Sequence, residues 1–429
     1  MKKKILTGAA AIMLALLCLA GFFYSDIVRL YKVVTLFDAG VIVENFRSMD
    51  SLFPVTRVCR GPVAFEFKRQ PCFLPEAYVY KGETKNLAQL IDETGTTGMV
   101  VIKDDTIVFE DYYRGNTEAS KAISWSVAKS FVSALVGIAV SEGYIKDIRQ
   151  PVTDYVPSLK GSGYDGVPIK DILNMSSGIH FNEDYGDFFS DINRMGRAMA
   201  FRTSLDDFVA SLKRERTPGT FRHYVSMDTQ VLGMLLREST KRTVTSYLEE
   251  KIWKKTGMES DAYWLIDGGG MEMVFGGLNA VLRDYARFGR LYLNNGRWGN
   301  EQVVPEDWVR ASVTPDAPHL MPGVNPASDW VLGYGYQWWI PENPEGDFLA
   351  IGIYNQFIYV HPRLGVVIAK TSAYADYNRD GEDKEIETIE FFRAIARHVN
   401  SCGVSARRHS GSPAAAPRDS GISHSAEDA

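Results

Sequence analysis

The chain has 429 residues, enough to bury a large core in one or two lobes. Hydrophobic residues make up 45%, charged residues 23%, and the formal net charge is −6. This is ordinary folded-chain composition with no domain-scale basic face, which excludes nucleic acid as a partner.

The N-terminus reads MKKKILTGAAAIMLALLCLAGFFYSD, with three lysines ahead of an uncharged, mostly apolar run from Ile5 to Tyr24. A helix needs roughly 20 apolar residues to cross a bilayer, so this run is long enough. No small-x-small site precedes Asp26. Residues 1–25 are therefore expected to be a signal anchor, with a cleaved signal peptide as the alternative. The lysines should stay cytoplasmic. The remainder would then be anchored in the inner membrane on its periplasmic or outer side, or secreted if the segment is cleaved.

Residues 26–75, with Pro54, Pro62, Pro71 and Pro75, read as an extended connector draped over the following domain. Cys59 and Cys72 form either a disulfide or two unrelated buried thiols. No cysteine pair has zinc-site spacing, so no metal is expected.

TKNLAQLIDETG predicts a short helix, and TGMVVIKDDTIVFEDYYRG a hairpin turning at Lys103-Asp104-Asp105. AISWSVAKSFVSALVGIAVSEGYI, from Ala122 to Ile145, predicts an apolar helix stopped by Gly143. Further helices are expected in VPIKDILNMSSGIHF, SLDDFVASLKRER, from Met227 onward, in AVLRDYARFGRLYLNNG and in VPEDWVRASV. Strands return in GYGYQWWIP, FLAIGIYNQFIYVHP and GVVIAKTSAY, before a helix in KEIETIEFFRAIARHV. Residues 401–429 are rich in Ser, Ala, Pro and Gly and read as a disordered tail. Strands at both ends and helices between them predict an α+β fold. An antiparallel sheet built from both chain ends would carry flanking helices, and a mainly helical second lobe would pack against it. The folded domain spans residues 76–400.

Ser126 and Lys129 are three residues apart, on one face of the predicted helix. Serine attacks well only when a base takes its proton. Lysine is such a base only if burial lowers its pKa, and Trp125, Val127 and Phe131 supply an apolar surround. The alternative is a helix cap. PGTFRHYVS adds Tyr224 and Ser226, which project to one side of an extended piece. Gly352 sits early in AIGIYNQFIYV, where glycine marks either a bulge or a close approach. There the Ile353 N–H can serve as an oxyanion donor.

This order of S-x-x-K, Y-x-S and a glycine-bearing late strand resembles the serine β-lactamase and penicillin-binding-protein superfamily, on its class C and esterase-like side. From about Thr84 to Val399 the likeness is nearest to 6-aminohexanoate-dimer hydrolases. The resemblance implies a β-lactamase/transpeptidase-like fold and a cofactor-free serine hydrolase acting on a small ester or amide. It makes Ser126 the acylated nucleophile, Lys129 its base and Tyr224 the proton carrier to the leaving group. Ser226 would orient substrate or Lys129, and the Ser126 and Ile353 N–H groups would form the oxyanion hole. Tyr185 falls near a substrate-contacting tyrosine. The family's K-T-G or H-x-G triplet falls on Ala350-Ile351-Gly352, which keeps only the glycine. That loss of a cation argues against efficient β-lactamase or DD-peptidase activity. A non-catalytic binding protein on the same fold is the remaining alternative. No G-x-S-x-G elbow or H-E-x-x-H motif is present to support another hydrolase class.

Overall fold

Three runs, GMVVIK, QFIYVH and VVIAKTS, each carry at least four consecutive apolar residues, so they suit strands covered on both faces. The computed structural model, which describes residues 24–200 and 203–409 together with Met13, Gly21 and Phe22, places all three at the centre of one sheet.

In chain order, helices α1 (Tyr24–Val34), α2 (Ile42–Arg47) and α3 (Met49–Leu52) lead into β1 (Val55–Val58) and β2 (Lys68–Arg69). The hairpin β3 (Ala77–Tyr80) and β4 (Glu83–Asn86) precedes α4 (Leu87–Glu93), β5 (Thr96–Lys103), β6 (Thr106–Tyr112) and β7 (Lys121–Ile123). The middle of the chain supplies α5 (Ala128–Ser141), α6 (Ile169–Leu173), α7 (Asp191–Ala200), α8 (Leu205–Ser211), α9 (Ser226–Thr240) and α10 (Val244–Leu248). Then come β8 (Ala262–Leu265), β9 (Leu278–Val281), α11 (Leu282–Leu293), β10 (Arg297–Trp298), β11 (Glu301–Gln302) and α12 (Glu306–Ser312). The chain closes with β12 (Gly333–Tyr334), β13 (Trp339–Ile340), β14 (Phe348–Gly352), β15 (Gln356–His361), β16 (Val366–Ser372) and α13 (Tyr377–His409).

The main sheet runs β12-β13-β14-β15-β16-β5-β6-β2. Both chain ends meet at the β16–β5 pair, as the sequence predicts. Its strands are antiparallel except the short edge strand β2, which runs parallel to β6. Asp104 and Asp105 turn the β5–β6 hairpin with φ of 45° and 61°, the doubly left-handed turn that matches strand twist. One face carries α13 and the β3–β4 hairpin, and the other carries α11 and then the helical lobe. The fold is α+β.

Several features differ from expectation or settle an alternative the sequence leaves open. The predicted helix Ala122–Ile145 is divided into β7, a 3₁₀ turn at Trp125–Val127 and α5. A second sheet, β1-β8-β9-β7, joins the segment after α3 to the middle of the chain. Residues 26–75 are not an extended connector. Leu36, Ile42, Phe46 and Met49 are buried in the main core, and these short helices exist because that burial holds them. Cys59 and Cys72 are not joined: Cys59 is exposed with its N–H on Glu249, and Cys72 pairs through its backbone with Val108. At the C-terminus, α13 continues to His409, past the expected start of the tail. Nearly all of the apolar run Ile5–Tyr24, and residues 410–429, lie outside the described residues. Among the described residues no helix is long and apolar enough to cross a membrane.

Candidate active site

Between β7 and α5 the backbone makes one unusual bend. Trp125 has a φ of 43°, in a region that a bulky side chain rarely occupies. Such a conformation persists only where its surroundings over-determine it. Here the indole is packed by Phe37 at 5.7 Å, Phe46 at 5.3 Å and Tyr354 at 6.0 Å between ring centroids. The bend presents Ser126 at the cavity wall and leaves Lys129 in the first turn of α5.

Lys129 is 2% exposed, and its ammonium spends all its donors on three oxygens. It bonds Ser126 Oγ at 2.9 Å, Ser226 Oγ at 3.1 Å and the Phe275 carbonyl at 2.8 Å. Burial pushes its pKa down to about 7, and the nearby Glu183 carboxylate resists part of that fall. A buried lysine that loses its proton near neutrality can accept one from a serine hydroxyl. The Phe275 carbonyl comes from the β8–β9 connection, so the unpredicted second sheet has a local use.

Tyr224 lies over the same ammonium, with its ring centroid 5.1 Å from Lys129 Nζ, and lines the cavity together with Ser126. Its ring stacks on Trp339 at 5.4 Å. Burial raises its pKa well above the ordinary phenol value, so it holds its proton. Ser226 opens α9 and accepts from the Lys129 ammonium. It also donates both its N–H, at 2.8 Å, and its hydroxyl to Glu183. The Tyr185 hydroxyl donates to the same carboxylate at 2.7 Å. Tyr185 therefore belongs to the site, with its hydroxyl committed to Glu183.

Glu183 is the residue that sequence reasoning missed. It accepts from the first residue of α9 and its charge acts on Lys129. Burial raises its pKa, and the Lys129 charge opposes that rise. In sequence it is one of three acids in FNEDYGD, and spacing alone cannot distinguish it from a loop charge.

Gly352 is required by close approach. A Cβ there would lie 2.6 Å from the Ser124 carbonyl oxygen and 3.0 Å from the Ser126 nitrogen. The end of β14 thus lies against the Ser126 turn, with Ile353 just beyond it at the cavity wall. Ala350, where the resemblance calls for a cation, is buried and pairs with Ile358.

Two cavities meet at this point. One, of about 840 Å³, is the more polar of the two and includes Tyr224, Arg222, Asp329 and the start of α13, beside Trp330 and Trp339. The other, of about 330 Å³, is mainly apolar and includes Leu36, Phe37, Met195 and Phe275. Ser126, Tyr185 and Ile353 line both.

A buried serine–lysine–tyrosine cluster between a helical lobe and an antiparallel sheet defines a class of serine hydrolase. Comparison with known proteins gives the family. The sequence profile of the beta-lactamase family matches residues 84–390. A 6-aminohexanoate-dimer hydrolase of Paenarthrobacter ureafaciens is 32% identical over 299 residues, covering 68% of this chain and 76% of that protein. Among solved structures, one from Bacillus anthracis, provisionally assigned as a 6-aminohexanoate-dimer hydrolase, superposes with a TM-score of 0.77. It is 24% identical, covering 85% of this chain and 96% of that one. A penicillin-binding protein from Bacillus halodurans shares the fold at a TM-score of 0.54, with 16% identity and coverage of 68% and 97%. The chain belongs to the beta-lactamase family and is a serine hydrolase of that superfamily.

Proposed function

We propose that the chain hydrolyses a small ester or amide through an acyl-enzyme on Ser126. Lys129 takes the hydroxyl proton as Ser126 Oγ bonds to the substrate carbonyl carbon. The Ser126 and Ile353 N–H groups receive the oxyanion. As the carbonyl–heteroatom bond breaks, Tyr224 delivers a proton to the leaving alcohol or amine and is reprotonated from Lys129. Water then attacks the acyl carbon by the reverse relay, releasing the acid and restoring Ser126. Ser226, Glu183 and Tyr185 position Lys129.

The observation that carries this reading is the 2.9 Å contact between Ser126 Oγ and a lysine whose burial brings its pKa to about 7. The buried, uncharged Ala350 argues against a β-lactam or peptidoglycan-stem carboxylate as the bound group. The test is a panel of p-nitrophenyl butyrate, nitrocefin and a D-Ala-D-Ala peptide, each run with Ser126→Ala as control. Ester cleavage lost in Ser126→Ala is expected. High efficiency on nitrocefin or the peptide would overturn the ester and amide assignment, and no turnover of anything would favour a binding protein. The apolar run Ile5–Tyr24 behind three lysines supports the further proposal that this domain is tethered to a membrane and faces the periplasm or exterior.

A further inference from the structure

Ser126 stands at a partition, and the two sides differ in chemistry. Tyr224, the proton donor to the leaving group, lines the polar cavity and is absent from the apolar one. In any acyl transfer the leaving heteroatom must lie on the side of its proton donor. The acyl chain, on the opposite bond of the same carbonyl carbon, must then extend the other way. That direction is the cavity bounded by Leu36, Phe37, Met49, Met195, Met273 and Phe275.

From these observations we infer that the apolar cavity is an acyl-chain channel, and that the enzyme takes esters or amides of an aliphatic acid carried on a polar leaving group. This rests on the reaction proposed above. Several observations support it. The channel is apolar along its walls, so burying methylenes there is favourable by about 0.8 kcal/mol each. At roughly 30 Å³ per water-sized group, its volume holds on the order of ten methylenes. Part of its wall comes from Val33, Val34, Leu36, Phe37, Met49 and Phe53, which precede the segment matched by the family profile at residue 84. The mouth on that side is edged by exposed apolar side chains, with Val34 at 62% and Phe188 at 59%. The other cavity places the charged groups Arg222, Asp329, Arg379, Asp380 and Asp383 among its aromatic walls, so a hydrocarbon tail there would desolvate charges that a polar leaving group would not.

The test uses the full chain and a pair of isomers, ethyl octanoate and octyl acetate. They share composition and place the long chain on opposite sides of the carbonyl. Ethyl octanoate should be turned over at least about tenfold more efficiently. p-Nitrophenyl octanoate should likewise exceed p-nitrophenyl acetate in kcat/KM. Gly196 lines the channel on α7, and a side chain added there meets nothing within 4 Å. Gly196→Phe should therefore plug the channel and lower the octanoate-to-acetate ratio at least about tenfold. Val34→Asp, at an exposed position, should lower it in the same direction. Equal rates on the two isomers, or a preference for octyl acetate, with hydrolysis still dependent on Ser126, would overturn the channel and leave the proposed reaction standing. Hydrolysis that survives Ser126→Ala would overturn both.

Discussion

At the scale of single residues, the proposed chemistry depends on one lysine whose burial brings its pKa to about 7. Lys129 in its protonated form cannot accept the Ser126 proton, so kcat/KM for an ester should rise with pH through a midpoint near 7. Lys129→Ala should lower kcat/KM by about 10²–10⁴-fold, read in a steady-state assay. Glu183 favours the charged form of Lys129. Removing its charge with Glu183→Gln should let the lysine lose its proton more easily and move the acid limb to lower pH. An unmoved or upward-moved midpoint would show that Glu183 acts on packing alone. The motif pair Ser126 and Lys129 was legible in sequence because both residues sit within one turn. Glu183 was not, because its partners, Ser226 and Lys129, are brought to it by tertiary folding.

At the scale of elements, the site depends on how closely β14 approaches the Ser126 turn. Gly352→Ala would place a methyl 2.6 Å from the Ser124 carbonyl oxygen, and the strand must withdraw. The Ile353 N–H would move with it, so activity should fall by about 10²–10³-fold, the usual cost of losing one oxyanion donor. The thermal midpoint should change far less than the rate, and circular dichroism with a parallel activity assay checks both. The strands around this point were readable from continuous apolar runs, and the Asp104-Asp105 hairpin from its turn residues. The Ser126 bend was not. Its strained Trp125 is fixed by rings distant in sequence, and local propensity favoured one unbroken helix.

At the scale of the whole molecule, the N-terminal segment is part of the enzyme. Phe37 stacks on Tyr354 at 4.8 Å while also touching Trp125, so one ring braces both the Ser126 turn and the β14–β15 turn. Leu36, Ile42, Phe46 and Met49 are each buried to within 5% exposure. At about 1.5–3 kcal/mol for each side chain, their loss would remove roughly 6–12 kcal/mol, comparable with a whole domain's stability. A chain beginning at Pro54 should therefore fail to give a cooperative thermal transition, whereas one beginning at Tyr24 should keep it. The overall α+β plan was visible in the segregation of strands to the chain ends. The role of residues 26–75 was hidden, since short helices held by tertiary burial carry little periodic signal.

The central claim is that Ser126 is the acylated nucleophile, and a fluorophosphonate probe with peptide mapping tests it most directly. One adduct per chain is expected, on Ser126, absent in Ser126→Ala and formed more slowly in Lys129→Ala. An adduct on another residue, or ester hydrolysis unchanged in Ser126→Ala, would contradict it.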